Sequence, residues 1–288
     1  MSNHSKCLLC GNSKLMPIPT FAHAFLVQCA TCSFVFCQKI PTNADLQAHY
    51  GNYPHEAGLS AITANRYREL LATFASYKQS GNMIDVGSGD GYFLAVAKEF
   101  SWKVFGTEFT DAAIQVCENK QITMHKGILN PANYTPNFFD IITSFEVIEH
   151  INNPVEEIRN FAKILRKGGL VYVTTPNFDA LTRHIVGSQW NIVEYPEHLS
   201  YYTAKTLRKL FEENGFKTLQ ITTTGISPGR LKSSGTQAKM IDGARQADEQ
   251  LRAKTETNPL FGLAKNMVNF GLNLTKSGDS LKGWFYKV

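Results

Sequence analysis

The feature that most limits what this chain can become is a short apolar run that ends in three closely spaced glycines. Met83–Val86 has the length and composition of a buried strand, and it breaks at once into Gly87-Ser88-Gly89-Asp90-Gly91. A helical pattern then follows over Tyr92–Phe100. Glycine at a strand-to-helix turn lets bare backbone approach a ligand, and in open α/β sheets ligands bind at the carboxyl ends of the strands. Between residues 82 and 216, short apolar runs keep alternating with helical segments. That is the pattern of a parallel sheet covered on both faces, so the fold class expected is α/β.

The glycine spacing is not that of a dinucleotide site. The fingerprint there is G-x-G-x-x-G, and Tyr92 stands where its third glycine would fall. The second strand, Lys103–Thr107, ends in Glu108, about where a carboxylate can accept hydrogen bonds from both hydroxyls of a ribose.

The cysteines make a second constraint. Five of the six lie between Cys7 and Cys37, and Cys117 sits alone in a helical pattern. Cys7-Leu-Leu-Cys10 and Cys29-Ala-Thr-Cys32 are two C-x-x-C pairs separated by eighteen residues. Each pair puts two thiolates on one tight turn, and two turns complete a tetrahedron around one Zn²⁺. Such a site is closed, so its metal is structural. Gly11 supplies the permissive backbone after the first pair, and Cys37 reads as a packed thiol. Clustered cysteines argue for a reducing, cytoplasmic setting. No apolar run reaches the roughly 18 residues of a membrane span, and Met1–Cys10 lacks the pattern of a signal peptide. The net charge of +5 is mild and needs no acidic partner to explain it.

Proline and glycine between Pro41 and Gly58 mark a linker, followed by a helical pattern over Ala61–Tyr77. The domain organisation expected is a zinc-binding module and linker over 1–55, a core over 56–224, a helical insertion over 225–276 and a final strand over 277–288. Within the insertion Ala238–Thr255 and Leu260–Leu274 read as helices. The second is apolar around much of its circumference, which suits packing inside the protein, a subunit contact or a membrane surface.

The fourth strand, Phe139–Ser144, leads into Phe145-Glu146-Val147-Ile148-Glu149-His150. A helical turn there places Glu146, Glu149 and His150 at i, i+3 and i+4 on a single face. After the fifth strand, Leu170–Thr174, residues 176–203 read as an irregular loop at the carboxyl edge of the sheet. Its Trp190, Tyr195, Tyr201 and Tyr202 are candidates to line an acceptor pocket, and His198 is a further imidazole.

Ile84-Asp85-Val86-Gly87-Ser88-Gly89-Asp90-Gly91 together with Glu108 closely resembles the S-adenosylmethionine (SAM) site of class I methyltransferases. The resemblance implies a Rossmann-like seven-stranded sheet with strand seven antiparallel. It also implies a cofactor site made by Asp85, Gly87, Ser88, Gly89, Gly91, Tyr92, Phe93, Glu108, Phe109, Gly127, Ile128, Ser144, Phe145 and Glu146. In that site Asp85 orients the ammonium group and Glu108 takes the ribose. Many members carry an Asp after the third strand. Here the stretch is His125-Lys126-Gly127-Ile128-Leu129, so backbone at Gly127–Ile128 has to meet the adenine.

The later segments, Glu-x-x-Glu-His and His-Leu-x-Tyr-Tyr-Thr, resemble the O-methyltransferases of ubiquinone biosynthesis and the small-RNA 2′-O-methyltransferases. Carried over from the RNA group, Glu146, Glu149, His150 and His198 would hold one Mg²⁺ or Mn²⁺. In metal-free members His150 or His198 would act as the base. The cysteine module ahead of such a core is similar to bacterial enzymes that modify sugars and secondary metabolites. Methyl transfer to a hydroxyl of a small molecule or sugar is therefore the leading expectation, for a monomer or homodimer. RNA 2′-O-methylation, N- or C-methylation of a metabolite or sugar, and SAM binding without turnover are the alternatives. The N-terminal segment is not densely basic, which weighs against nucleic acid.

Overall fold

A computed structural model describes residues 2–42, 45, 58–226 and 259–288 of the chain. The strands are β1 (Leu15–Pro17), β2 (Leu26–Cys29), β3 (Val35–Cys37), β4 (Asn82–Val86), β5 (Lys103–Glu108), β6 (Thr123–Lys126), β7 (Phe139–Phe145), β8 (Leu165–Pro176), β9 (Ser200–Tyr201), β10 (Phe216–Thr224) and β11 (Ser280–Lys287). The helices are α1 (Ala61–Phe74), α2 (Tyr92–Glu99), α3 (Asp111–Asn119), α4 (Pro154–Ile164), α5 (Leu181–Val186), α6 (Ala204–Glu212) and α7 (Pro259–Thr275). A seven-stranded mixed sheet runs β10-β11-β8-β7-β4-β5-β6, with one antiparallel strand. By their contacts the described residues fall into two units, one drawn from 1–40, 175–206 and 221–282, the other from 41–174, 207–220 and 283–288.

In the second unit, β4 pairs in parallel with β5 on one side (Ile84 opposite Phe105) and with β7 on the other (Ile84 opposite Ile142). The chain therefore builds outward from β4 to β5 and β6, then crosses back to β7. Strand order reverses at β4, and the carboxyl end of β4 is where an open α/β sheet makes its crevice. The central strands β4 and β7 are buried along almost their whole length. Leu71 and Phe74 of α1, Leu94 of α2, and Met83, Ile141 and Leu170 of the sheet share one core cluster. Ser60 caps α1, its side chain accepting the Thr63 N–H.

The first unit carries a four-stranded antiparallel sheet, β1-β2-β3-β9. Here the structure corrects one sequence reading. Residues 176–203 are not one irregular loop, because they contain α5 and β9, and β9 pairs with β3 (Val35 opposite Tyr201, Phe36 opposite Ser200). A two-residue strand is too short to leave any periodic signal. Of the two insertion helices, Leu260–Leu274 corresponds to α7, whereas Ala238–Thr255 lies outside the described residues.

At the amino end of the parallel sheet a buried carboxylate ties three segments together. Asp140 Oδ2 accepts the N–H groups of Gln79 (2.8 Å) and Gly81 (2.7 Å), and Oδ1 accepts from Arg166 Nε at 2.6 Å. Arg166 also donates to the Tyr77 carbonyl. Burial opposes ionisation of Asp140, but the Arg166 hydrogen bond and the two amides outweigh it and hold the carboxyl below its usual range. A depressed native pKa gives stability that is full above the unfolded value and is lost as pH falls through the native one. Asp140→Asn is therefore expected to cost about 3 kcal/mol in urea unfolding at pH 7, the order found on breaking a buried pair. It should also flatten the loss of stability below about pH 4, the range where an unfolded aspartate titrates.

Candidate functional site

The turn after β4 is held from two sides. The N–H groups of Gly87 and Ser88 both donate to the Thr107 carbonyl at 3.0 Å. All three glycines have left-handed backbone, with φ of +73° at Gly87, +51° at Gly89 and +71° at Gly91. Their surroundings differ. A Cβ on Gly87 would lie 2.5 Å from Val147 Cγ2, and one on Gly91 would lie 2.7 Å from Cys117 Sγ and 2.8 Å from Ile122 Cδ1. A Cβ on Gly89 would meet nothing within 4 Å. Two of the glycines are thus demanded by packing, and the third looks onto open space.

Glu108, at the end of β5, holds the same loop. Its Oε2 accepts the Gly89 N–H at 3.0 Å, while Oε1 accepts the N–H groups of Phe109 (2.7 Å) and Thr110 (3.3 Å). A carboxylate has about four lone-pair sites, so with three amides bound one site remains, on Oε2, for a further hydroxyl. Asp85 lies inside β4 and is buried, with Thr143 Oγ1 donating to its Oδ1 at 2.7 Å. Burial, reinforced by the charge of Glu108, pushes its carboxyl up to about 7. A cation set against it would favour the ionised form.

At the carboxyl ends of β5 and β6, Phe109 is 60% exposed and Ile128 is 65% exposed, while Leu129 is buried. The Gly127 N–H already donates to the Glu108 carbonyl at 2.8 Å, so of the backbone expected to meet adenine it is Ile128 that is placed for the task. Ser144 Oγ, near the end of β7, is fully buried with no hydrogen-bond partner among the described residues. These features fit a nucleoside carrying a cationic tail: an open glycine, two acids of different character and two exposed apolar side chains on neighbouring strand ends.

Other expected cofactor residues brace the site. Phe93 is in the core, edge-on to Phe145 with centroids 4.8 Å apart, and Tyr67 packs on Phe93 at 5.2 Å. The Tyr92 hydroxyl accepts the Gly58 N–H at 3.1 Å. Lys120 Nζ sits 3.9 Å from the Tyr92 ring centroid and donates to the Asp90 carbonyl, which ties the loop to the end of α3. No spacing in the sequence marks Lys120, Thr143 or Val147 for these roles.

Beyond β7 the expected helical face does not form. Glu146 has left-handed backbone (φ +53°) and donates its N–H to the Thr174 carbonyl, and Val147 precedes a three-residue 3₁₀ turn, Ile148–His150. Stacking at i, i+3 and i+4 needs an unbroken right-handed helix, so Glu146 is set apart from Glu149 and His150. The Glu149 carboxylate is buried, with Oε1 3.9 Å from His150 Nε2, an ion-pair separation rather than a hydrogen bond.

In the other unit, His198 Nδ1 lies 2.6 Å from the Ile192 carbonyl. A carbonyl only accepts, so Nδ1 carries the proton and the acceptor lone pair falls on Nε2. The expected acceptor-lining aromatics are mostly core residues. Trp190 and Tyr201 pack in one cluster with Phe178, and Tyr202 lies against Phe34 at 5.3 Å. Among the four, Tyr195 alone is partly exposed, and it meets Phe25 edge-on at 5.3 Å beside Lys39 Nζ. Burying large rings strengthened this small core at the expense of a pocket wall.

The four knuckle cysteines converge, with Sγ atoms all within 4.8 Å of one another. Cys7–Cys32 is 3.5 Å and Cys10–Cys29 is 3.6 Å, and none forms a disulfide. The two turns repeat one geometry: Gly11 donates to Cys7 O at 2.9 Å and Ser33 donates to Cys29 O at 3.0 Å, each from a left-handed residue. Burial pushes the Cys7 thiol up to about 11.

Comparison with known proteins agrees with this construction. Residues 60–221 match the family described as methyltransferase domain, more than half of the chain, and the chain belongs to that family. It is a SAM-dependent methyltransferase. The ubiquinone biosynthesis O-methyltransferase of Coxiella burnetii is 27% identical over 164 residues, which cover 53% of this chain and 69% of that one. The enzyme of the same name from Nitrosospira multiformis is 28% identical over 103 residues, covering 33% and 43%. A SAM-dependent methyltransferase from Archaeoglobus fulgidus shares the fold with a TM-score of 0.54 at 15% identity, over 80% of this chain and 95% of that one. A putative sarcosine dimethylglycine methyltransferase from Galdieria sulphuraria does so at 0.53 and 14%, over 84% and 94%.

The unequal glycines give a test that needs no cofactor. Gly87→Ala combines left-handed strain with overpacking against Val147, and is expected to lower unfolding stability by about 2–3 kcal/mol. Gly89→Ala carries the strain alone, about 1 kcal/mol. Urea titration of both variants measures the difference.

Proposed function

We propose that this enzyme transfers the methyl group of SAM to a hydroxyl of a small molecule or sugar, with an imidazole as base. The observation that carries this reading is the buried Glu149 beside His150 directly after β7, in a chain whose curated relatives are named O-methyltransferases. Asp85 holds the ammonium group and Glu108 a ribose hydroxyl. Phe109 and Ile128 cover the adenine, which removes their apolar surface from water at roughly 25 cal/mol per Å². Bound SAM supplies an electrophilic methyl on a sulfonium whose positive charge vanishes on transfer.

The protein's own work is to align the acceptor, exclude water and take a proton. His150 is suited to the last task, because its ring nitrogen Nε2 lies 3.9 Å from the buried Glu149 carboxylate. His198, with its proton fixed on Nδ1, presents Nε2 as a second acceptor of the right kind. The displacement of Glu146 from the 3₁₀ turn takes one member out of the four-ligand arrangement expected for Mg²⁺ or Mn²⁺.

We also assign one structural Zn²⁺ to Cys7, Cys10, Cys29 and Cys32. Zn–S bonds of about 2.3 Å in a tetrahedron put sulfurs roughly 3.8 Å apart, close to the two separations seen. Metal analysis of the purified protein should give one zinc per chain, and Cys10→Ala should lose it together with the thermal transition of that unit. Zinc retained by Cys10→Ala would remove the assignment.

Turnover is tested on panels of phenolic and sugar acceptors, with the methylated product read by mass spectrometry. His150→Ala is expected to reduce kcat by about 10²–10⁴-fold, the contribution of a general base, while calorimetric SAM binding stays at the wild-type level. His198→Ala serves as the parallel variant. Undiminished turnover in both would discard the base assignment and leave the cofactor site standing.

A further inference from the structure

Helix α7 turns Asn269, Leu272 and Asn273 toward its own unit and leaves several apolar side chains exposed. Asn269 Oδ1 accepts the Gly225 N–H at 2.9 Å, and Asn273 Oδ1 accepts the Thr223 N–H at 3.1 Å and Lys276 Nζ at 2.9 Å. Leu272 is buried on that side, and its carbonyl accepts from Thr223 Oγ1 at 2.8 Å. On the outer side Leu263, Met267, Val268, Phe270 and Leu274 are between 50% and 69% exposed.

The outward residues follow a rule. Leu263, Met267, Phe270 and Leu274 are spaced four, three and four apart, and at 3.6 residues per turn they fall within an arc of roughly 60°. That four-three-four spacing is the spacing of the seam between paired helices. The seam's edges are uncharged, with Ala264 and Gly271 along one side and Asn266 and Asn273 along the other. Small residues at the edge let a partner helix come close.

We propose that α7 is a self-association surface, pairing with α7 of a second copy of this chain. Three observations favour that occupant. An uncharged seam meets its own copy without like-charge repulsion, as a two-fold contact requires. A helix made for a lipid surface carries Lys or Arg on its polar face beside the stripe, and neither stands at the edges of this seam. Four seam side chains exposing about 120 Å² each bury roughly 1,000 Å² in a pair, the size of a weak, concentration-dependent contact.

Sedimentation equilibrium on the full chain tests this, from about 1 to 100 μM so as to bracket a micromolar Kd. The wild-type mass is expected to rise from the 32.2 kDa of one chain toward twice that. Phe270→Glu and Met267→Glu, both at exposed positions, should remain at one chain's mass while keeping the wild-type circular dichroism and SAM affinity. A wild type that stays single throughout overturns the proposal, and so does a dimer that survives both substitutions. Phosphatidylglycerol–phosphatidylcholine vesicles are included as a control. Flotation of a single-chain wild type that Phe270→Glu abolishes would overturn it in favour of a lipid surface.

Discussion

Everything at the carboxyl edge of the sheet depends on how closely the turn after β4 is pressed against the segment leaving β7. Val147 occupies the space a side chain on Gly87 would need, and the Thr107 carbonyl takes the two amides that open the turn. The loop is clamped between its two neighbouring strands. Glu108 then reaches across to the Gly89 amide, so the acid assigned to the ribose also shapes the loop assigned to the rest of the cofactor. Such a site is organised before any ligand arrives, which lowers the ordering cost of binding.

Two buried aspartates on paired strands show how the same fold sets opposite charge states. Asp140 faces Arg166 and two amides, and its ionised form is favoured. Asp85 has one hydroxyl from Thr143 and a like charge nearby, so burial wins and its proton is held to about pH 7. The first arrangement is complete within the protein. The second is short of positive charge, and a cationic ligand is what would complete it.

The cysteine module shows a different economy. A small antiparallel sheet buries little apolar surface, and its four thiols converge where a metal would crosslink such a unit. Its core is filled by Trp190, Tyr201 and Phe178 from residues 175–206, which is why aromatic side chains that look like pocket walls in the sequence serve as packing. Its outermost strand, Ser200–Tyr201, comes from the same stretch.

Local spacing alone determined the α/β class, the glycine turn, the acid closing β5 and the paired cysteine knuckles. Each of these is written in residues a few positions apart, where periodicity and turn chemistry act. The tertiary structure decided which glycines are obligatory, because Val147 and Cys117 arrive from distant parts of the chain. It also decided that Glu146 leaves the face shared by Glu149 and His150, since a left-handed residue pinned to the Thr174 carbonyl breaks the turn. And it turned α7 outward: an apolar helix looks the same in sequence whether it faces a core or a partner, and only the hydrogen bonds of Asn269 and Asn273 show which side is in.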